Sequence, residues 1–271
     1  MIPKIIHYCW FGGNPLPESA QKCITSWRKH FPDYEIKEWN ESNYNVHKIP
    51  YTSEAYNAKK YAFVSDYARF DILYEFGGIY FDVDVEVIKP FGNILNDTGF
   101  MGTEVVGSVA AGLGVGCNAG LGVIKEILEH YEREHFSCNN VINPYNLKTV
   151  VQRATEIFKK NGFDAKSNTI QKVADITIYP PEYFCPMDFS RTGMLTITEN
   201  TYSIHHYDGS WVEEKQIKRR KEIYRIYAIL GINIFSKSLI SVMCAVKHIF
   251  EDGLINTIKL YTKILMDKNK P

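Results

Sequence analysis

Apolar and polar positions follow two periods in the first forty residues, one typical of strands and one of a helix. Residues 3–10 form a short apolar run, which predicts a buried strand, and residues 11–15 have the composition of a turn. Residues 17–31 show helical spacing, with apolar contacts predicted at Ala20, Cys23, Ile24 and Trp27. Residues 34–39 predict a second strand. Two strands on either side of one helix form a βαβ unit, which begins a mainly parallel sheet.

A second helix is predicted to begin at Ser65, its candidate N-terminal cap, with Asp66 in its first turn. Gly77 and Gly78 are expected to end this helix, because glycine adopts the left-handed backbone of a C-terminal cap without strain. Its apolar stripe is Phe63, Tyr67, Phe70 and Tyr74.

The residues after this helix, 79–86, read as a buried strand that ends in two acids. Residues 79–81 are apolar, and Asp82 and Asp84 follow at once. Residues two apart on a strand point to one face, so the two carboxylates are expected side by side. Such a pair suits Mg²⁺ or Mn²⁺, which prefer hard oxygen ligands. The alternative is two acids in a surface turn.

The periodicity weakens after Pro90. Residues 99–122 contain eight glycines, which indicates either flexible backbone near a ligand or small-residue packing between strands. Helices are predicted at residues 121–136 and 143–161, and short strands at 177–179 and 195–198. The predicted domains are 1–212, an α/β domain, and 213–271, a basic helical extension with an amphipathic stripe at Leu239, Val242, Met243, Val246, Ile249 and Phe250.

Composition and charge narrow the classes of protein. The chain has 271 residues and is 45% hydrophobic, enough to bury a substantial core. Its formal net charge is zero, but residues 215–271 hold 12 Lys/Arg against 4 Asp/Glu, so the rest of the chain is acidic. The six cysteines form no C-x-x-C pair, which favours reduced thiols. With no signal peptide and no run of the ~20 apolar residues that a membrane span needs, we expect a cytoplasmic protein.

Three further groups of residues could carry chemistry. Asp66 and Arg69 lie three apart on a helix, so they form either a local ion pair or a binding site for a sugar hydroxyl or a diphosphate. Trp10 either stacks on a base or fills the core, and the role of His7 is open. A dense polar cluster follows at His205, His206, Asp208, Ser210 and Trp211. Adjacent histidines point to opposite faces of an extended segment, so at most one would reach the metal, and Trp211 could close over a ligand; the alternative is a surface loop with a buried tryptophan.

Two of these stretches together resemble a known family. IPKIIHYCWFGG and SDYARFDILYEFGGIYFDVDV are similar to glycosyltransferase family 32, the DXD-containing sugar transferases of capsular polysaccharide clusters and of yeast initiating mannosyltransferases. The likeness extends, more distantly, to the catalytic core of the large clostridial glucosylating toxins. It covers about residues 2–90, with a weaker echo at HHYDGSW. It implies a GT-A fold, in which a Rossmann-like, mainly parallel but mixed sheet is flanked by helices.

The resemblance also implies roles for individual residues. Asp66, Arg69, Asp82 and Asp84 would be catalytic, with Asp82 and Asp84 on a Mn²⁺ or Mg²⁺ ion together with one of His205 and His206. The residues expected to bind the donor are His7, Trp10, Gly12, Tyr80, Asn118, Ser210 and Trp211. Asn118 is the best match for an asparagine that the family carries between its two motifs.

The resulting expectation is a metal-dependent retaining glycosyltransferase. It would move a hexose from a nucleotide-sugar, with a UDP-sugar favoured, to a saccharide acceptor in surface polysaccharide or glycan synthesis. The acceptor could be lipid-linked, and the basic tail could contact the inner face of the membrane or pack on the domain or a partner chain. Specific nucleic-acid binding is not expected from the acidic first 214 residues. The alternatives are a protein-glycosylating transferase and a non-catalytic nucleotide-sugar-binding module.

Overall fold

A computed structural model of the chain describes residues 2–138, 144–188 and 194–208, together with seven single positions between 222 and 246. The chain divides into two compact units, residues 1–187 with 195–211, and residues 188–194 with 212–271. The first unit contains all strands and helices listed below. In the second, the seven single positions are helical, and the rest of the predicted extension 213–271 lies outside the described residues.

The described part of the first unit alternates strands and helices from its start. The strands are β1 (Ile5–Cys9), β2 (Glu35–Trp39), β3 (Gly78–Tyr80), β4 (Val85–Val87), β5 (Gly99–Val105), β6 (Ser108–Cys117), β7 (Gln171–Val173), β8 (Ile176–Tyr179) and β9 (Ser203–His205). The helices are α1 (Glu18–His30), α2 (Pro50–Asn57), α3 (Tyr61–Phe76), α4 (Gly122–Glu132), α5 (Val150–Lys160) and α6 (Pro181–Phe184), with a 3-10 turn at Gly92–Asn96.

Seven of the strands form one mixed sheet in the order β2-β1-β3-β6-β5-β8-β7. The pairs β1–β2, β1–β3 and β5–β8 are parallel, and β3–β6, β5–β6 and β7–β8 are antiparallel. Strands β4 and β9 form a separate antiparallel pair. The predicted α/β class with a mixed sheet is confirmed, as is the opening βαβ unit.

Helices cover both faces of the sheet because successive strand residues point to opposite sides. On β3, Tyr80 joins the apolar cluster of α2, α3, α4 and α5, whereas Ile79 lies with Phe81 in the cluster of α1. Trp27 on α1 is fully buried, and its indole N–H donates to the Val85 carbonyl at 2.7 Å. Helix α1 therefore supports the chain where it leaves the sheet after β3.

The predicted start of the central helix is wrong by one turn. Helix α3 begins at Tyr61, so Ser65 is not a cap but an interior residue whose hydroxyl donates to the Tyr61 carbonyl at 3.3 Å. Asp66 consequently lies in the second turn. The helix ends at Gly77, as predicted, with a φ of 64° at Gly77 and 96° at Gly78.

The glycine-rich segment is part of the sheet, which settles the two alternatives in favour of small-residue packing. Most of residues 99–122 form the β5–β6 hairpin. A Cβ on Gly116 would come within 2.2 Å of the Phe100 ring, and one on Gly114 within 2.8 Å of Phe81. The glycines admit aromatic rings against the strand.

Two weaker predictions need correction. The helix expected at 143–161 begins only at Val150, behind a capping box in which Thr149 and Gln152 each accept the other's backbone N–H. Residues 195–198 are not a strand, because their one ladder contact is the isolated bridge between Met187 and Leu195.

Candidate metal and donor-sugar site

The two acids of the DVD sequence lie in a turn and not on a strand. Strand β3 ends at Tyr80, and the Val85 N–H donates to the Asp82 carbonyl at 3.0 Å, which closes the turn. The prediction that the two acids share one face of a strand is therefore wrong. The carboxylates still converge: one ligand atom from each of Asp82, Asp84 and His205 lies within 4.8 Å of the other two.

The β4–β9 pair brings His205 to the acids. Val85 is opposite His205 in this pair, and the imidazole Nε2 lies 3.1 Å from Asp84 Oδ1. The backbone N–H of Asp208 donates to the second oxygen of Asp84 at 3.0 Å. His206 points away, with its Nε2 2.9 Å from Glu86 Oε2. Of the two histidines predicted as ligands, the structure places only His205 in the cluster.

Asp84 and His205 stabilise each other's charged forms. Burial raises the pKa of Asp84, but the His205 imidazole and the Asp208 N–H oppose this and leave the pKa below its usual value. Burial likewise lowers the pKa of His205, and the charge of Asp84, followed by Asp82 and Glu104, raises it above its usual value. Asp84 and His205 thus form an ion pair, and a cation bound by both side chains would displace the proton of the imidazole.

Arg69 links the carboxylates of Asp66 and Asp82. Its guanidinium donates to Asp66 Oδ1 at 2.8 Å and to Asp82 Oδ2 at 3.3 Å, and its Nε donates to the Ser65 carbonyl at 3.1 Å. The Tyr80 hydroxyl donates to the other oxygen of Asp82 at 3.0 Å. The local ion pair predicted at i, i+3 exists, and it extends into a network that fixes Asp82.

Two oxygens and one imidazole nitrogen suit a divalent cation of the Mn²⁺ or Mg²⁺ kind. The Asp82 side chain is 30% exposed, so a ligand can reach it, whereas the side chains of Asp84 and His205 are 16% and 13% exposed. The Nδ1 atom of His205 is buried and has no hydrogen-bond partner among the described residues. The cluster therefore fits a metal ion held by these three side chains and open to a further ligand on the side of Asp82.

Residues 17–101 match a family model described as "Glycosyltransferase sugar-binding region containing DXD motif". The match covers 85 of the 271 residues and supports the assignment of this region to glycosyltransferase family 32. The match contains Asp66, Arg69, Asp82 and Asp84. His205 lies outside it, and the structure is what brings His205 to Asp82 and Asp84.

Two curated relatives come from Schizosaccharomyces pombe. Inositol phosphoceramide mannosyltransferase 1 is 31% identical over 119 residues, which are 39% of this chain and 36% of that protein. Inositol phosphoceramide mannosyltransferase 3 is 36% identical over 107 residues, 35% of this chain and 28% of that protein. The chain thus spans about a third of the length of the curated relatives it matches.

A solved structure entitled "PaToxG Glycosyltransferase" is also similar, with 17% sequence identity and a TM-score of 0.43. The likeness covers 59% of this chain and 68% of that one. In the described part of the chain, every helix is too short or too polar to cross a bilayer.

Two of the predicted donor residues lie at the same sheet edge as Asp82. Strands β1 and β3 are parallel, so Trp10 and Gly12 emerge beside the end of β3. Carboxyl ends of parallel strands are where α/β proteins bind nucleotides. The Trp10 indole donates to the Asn14 carbonyl at 2.6 Å, and the Gly12 N–H donates to Glu41 at 2.6 Å.

His7 and Tyr80 have structural partners. Both ring nitrogens of His7 are engaged, Nε2 with the Gly77 carbonyl at 2.9 Å and Nδ1 with the Trp39 indole at 3.1 Å, so neither is free for a donor. Tyr80 is buried and contacts Asp82, as described above. His7 thus holds the glycine turn, and Tyr80 orients a carboxylate.

Asn118 lies at the wrong end of the sheet for its predicted role. Strand β6 runs antiparallel to β3, with Cys117 opposite Gly78. Asn118 is therefore level with Gly77 and displaced from Asp82 by about five residues along the chain, or about 16 Å. Ser210 and Trp211 lie outside the described residues.

Gly112 is a site residue that sequence reasoning missed. It lies beside Asp82 just beyond the end of β3, and the Asp82 N–H donates to its carbonyl at 3.2 Å. A Cβ at this position would lie 2.1 Å from Asp82 Oδ2. Only a residue without a side chain leaves room for the carboxylate, and the signal was present in the glycine-rich run.

Proposed function

We propose that this protein is a metal-dependent glycosyltransferase that transfers a hexose from a nucleotide-sugar to a saccharide acceptor with retention of configuration. The observation that carries the proposal is the convergence of Asp82, Asp84 and His205 beside the Asp66–Arg69 pair. A metal site and a sugar site that share one arginine network can hold both ends of a sugar diphosphate.

A Mn²⁺ or Mg²⁺ ion held by Asp82, Asp84 and His205 would neutralise charge on the leaving diphosphate. Arg69 cannot swing away, because three of its contacts fix the guanidinium in place. Asp66 would accept a hydrogen bond from a sugar hydroxyl, and Trp10 would contact the base. This preorganisation removes part of the cost of positioning the donor.

Retention would follow a same-face mechanism, in which the leaving phosphate takes the proton of the acceptor hydroxyl. The double-displacement alternative requires a second carboxylate at the anomeric carbon. Intact-mass spectrometry during turnover tests this choice, and detection of a sugar covalently bound to the enzyme would contradict the same-face mechanism.

The names of the two relatives support the hexose and the acceptor class. Both are called inositol phosphoceramide mannosyltransferases, which is consistent with mannose as the transferred sugar and with an acceptor saccharide carried on a lipid. UDP-sugars stay the predicted donors, and GDP-mannose joins them in the test. The basic tail would then act at the cytoplasmic face of a membrane.

The deciding experiment is a donor screen with and without Mn²⁺. Hydrolysis of UDP-glucose, UDP-galactose, UDP-N-acetylglucosamine and GDP-mannose is compared between wild type, Asp84→Ala and the matched control Glu86→Gln, whose carboxylate contacts His206 outside the cluster. We expect metal-dependent turnover of at least one donor by wild type and the control, and about 100-fold less by Asp84→Ala.

Turnover that is equal in wild type and Asp84→Ala for every donor would overturn the proposal. Metal-dependent donor binding without turnover or transfer would instead identify a nucleotide-sugar-binding module. Transfer of the sugar to a protein in place of a saccharide would identify the third possibility, a protein-glycosylating enzyme.

A further inference from the structure

A second buried polar cluster lies within electrostatic reach of Asp66 and shares no residue with the cluster of Asp82, Asp84 and His205. It consists of Arg153 on α5, Tyr131 on α4 and Tyr51 on α2, all three fully buried. The guanidinium carbon lies 4.7 Å from the centre of the Tyr131 ring and 5.2 Å from that of Tyr51. The two rings meet edge to face at 5.0 Å. Three helices thus enclose one cation between two aromatic rings.

Four polar atoms of this cluster have no well-formed hydrogen bond within the described part of the chain, although the Tyr51 hydroxyl lies near enough to the Arg153 guanidinium to interact with it. They are Arg153 Nε, Arg153 Nη2, Tyr51 Oη and Tyr131 Oη. Buried polar groups without partners are rare in native proteins, since each loses its hydration without compensation. Their presence together in one place indicates that something polar, beyond the chain's own side chains, satisfies them.

The third nitrogen of the guanidinium has a partner closer to the surface. Arg153 Nη1 is committed to Glu134, an ion pair whose acidic side chain is 25% exposed, and it lies 3.5 Å from His130. Glu134 and His130 also line an open surface pocket of about 300 Å³ between α4 and α5. The Glu134 side chain therefore connects the buried cluster with solvent, and water can reach the cluster beside it.

The Asp66 carboxylate is the group that this cluster faces. Asp66 is next to Tyr67 on α3, and the Tyr67 ring lies 5.9 Å from that of Tyr131. Burial raises the pKa of Asp66 to about 6, while Arg69 and, more weakly, Arg153 and the Val150 N–H favour its charged form. Asp66 also acts electrostatically on Tyr51 and Tyr131. The carboxylate thus stands between two arginines, of which only Arg69 bonds to it directly.

We propose that Arg153, Tyr51 and Tyr131 enclose ordered water that hydrogen-bonds the Asp66 carboxylate from behind. Arg153 is then a positioning residue for the donor sugar, acting through water and Asp66. Each water in such a pocket would find the two to four polar partners that buried water needs. The inference rests on the proposed function, since it assigns Asp66 to the sugar.

The hydroxyl groups of the two tyrosines allow a sharp test. Tyr131→Phe and Tyr51→Phe remove one oxygen each and keep the packed rings. If the oxygens hold no water, their removal deletes an unsatisfied buried group, and the melting temperature rises or is unchanged. If they hold the proposed water, the melting temperature falls and the Kd for the donor rises about tenfold. Tyr67→Phe is the matched control. Burial and then the charge of Asp71 raise the pKa of Tyr67, and Asp66 has no part in this shift.

A double-mutant cycle with Asp66→Asn identifies the route of the effect. Donor Kd is measured by calorimetry with Mn²⁺ and the best donor of the screen, for wild type, Tyr131→Phe, Asp66→Asn and the double variant. We expect the effect of Tyr131→Phe to shrink to about twofold or less when Asp66 is already changed. Arg153→Lys should raise Kd in the same way, because an ammonium lacks the planar fork of the guanidinium.

A crystal structure of the protein without donor separates failure of this inference from failure of the proposed function. Ordered waters that bridge Arg153 to Asp66 are expected whether or not any nucleotide-sugar binds. An empty pocket, together with an unchanged or raised melting temperature for both tyrosine variants, would overturn the inference. Independent effects of Tyr131→Phe and Asp66→Asn on Kd would overturn the positioning role.

Discussion

At the scale of single residues, the site depends on which of two neighbouring histidines turns inward. His205, the last residue of β9, contacts Asp84, and His206, directly after the strand, contacts Glu86. The alternation of side chains along an extended segment is a local property, so the sequence could predict that the two histidines would separate. It could not predict which one faces the acids, because that depends on the pairing of β9 with β4.

His205→Ala should weaken Mn²⁺ binding by about tenfold to 100-fold, or about 1.4 to 2.7 kcal/mol, because it removes the nitrogen ligand of the cluster. His206→Ala removes the same kind of side chain from the position next to it and should leave the metal affinity within about twofold. Isothermal titration with Mn²⁺ gives both values. Equal losses in the two variants would show that His205 is not a ligand.

His7 makes a second prediction at this scale, on stability and pH. Burial, the largest cause, lowers its pKa to about 4. Between that value and the ordinary one near 6.5, the unfolded chain binds a proton that the folded chain excludes. The free energy of unfolding should therefore fall as the pH drops through this window, by about 3 kcal/mol in total from this group.

Replacing His7 removes that contribution to the pH dependence. Urea unfolding of His7→Gln at several pH values between about 4.5 and 7.5 should show a flatter acid limb than wild type. His47→Gln, at an exposed position, is the control and should keep the wild-type slope. A slope of wild-type steepness in His7→Gln would place the acid sensitivity elsewhere.

At the scale of elements, β6 shows why part of the site was invisible in the sequence. Glycine is depleted in strands, so a run with Gly112, Gly114 and Gly116 does not read as one. The strand forms because aromatic rings and the Asp82 carboxylate occupy the space that side chains would fill. The error in placing Asn118 has the same origin, since the register of an antiparallel pair depends on residues far apart in the chain.

Gly112→Ala tests the fit between β6 and the acid turn. Its Cβ would lie 2.1 Å from Asp82 Oδ2 and 3.3 Å from Arg69 Nη1, so Asp82 must move. We expect the Kd for Mn²⁺ to rise at least about tenfold, with a loss of stability of about 1–3 kcal/mol. Gly122→Ala is the matched control, because nothing lies within 4 Å of a Cβ there and the residue starts α4.

Wild-type metal affinity in Gly112→Ala would show that Asp82 has room to adjust without leaving the cluster.

The starts of two helices also show how far local sequence patterns can predict structure. Thr149 and Gln152 form a capping box that was legible as a T-x-x-Q pattern, whereas Ser65 has the right chemistry in the interior of α3. A cap residue marks a helix end only where tertiary packing lets the helix end.

At the scale of the whole molecule, the unequal distribution of charge is the feature with a consequence for binding. Residues 215–271 carry a net charge of +8, and the remainder carries −8. An anionic surface attracts such a tail electrostatically, and salt screens the attraction. If the tail acts at a membrane, binding should depend on anionic lipid and on ionic strength.

Flotation with vesicles of phosphatidylcholine, with and without about 30% phosphatidylserine, tests this at low and physiological salt. We expect binding only to the anionic vesicles, and about tenfold weaker binding when Lys218, Arg219, Arg220 and Lys221 are all changed to Gln. A variant with four lysines changed in the acidic body is the control for net charge. No flotation of the folded wild type at physiological salt would contradict the membrane role.

The β4–β9 pair joins parts of the chain that lie 120 residues apart, as the contact between Glu86 and His206 shows. Closing so long a loop is entropically costly, and only three residues on each strand offset it, so this pair forms after the main sheet. We expect it to open before the main sheet in the native state, which predicts faster amide hydrogen exchange in β9 than in β1 or β6. On this argument the cluster of Asp82, Asp84 and His205 assembles after the main sheet, and a bound cation would slow its opening.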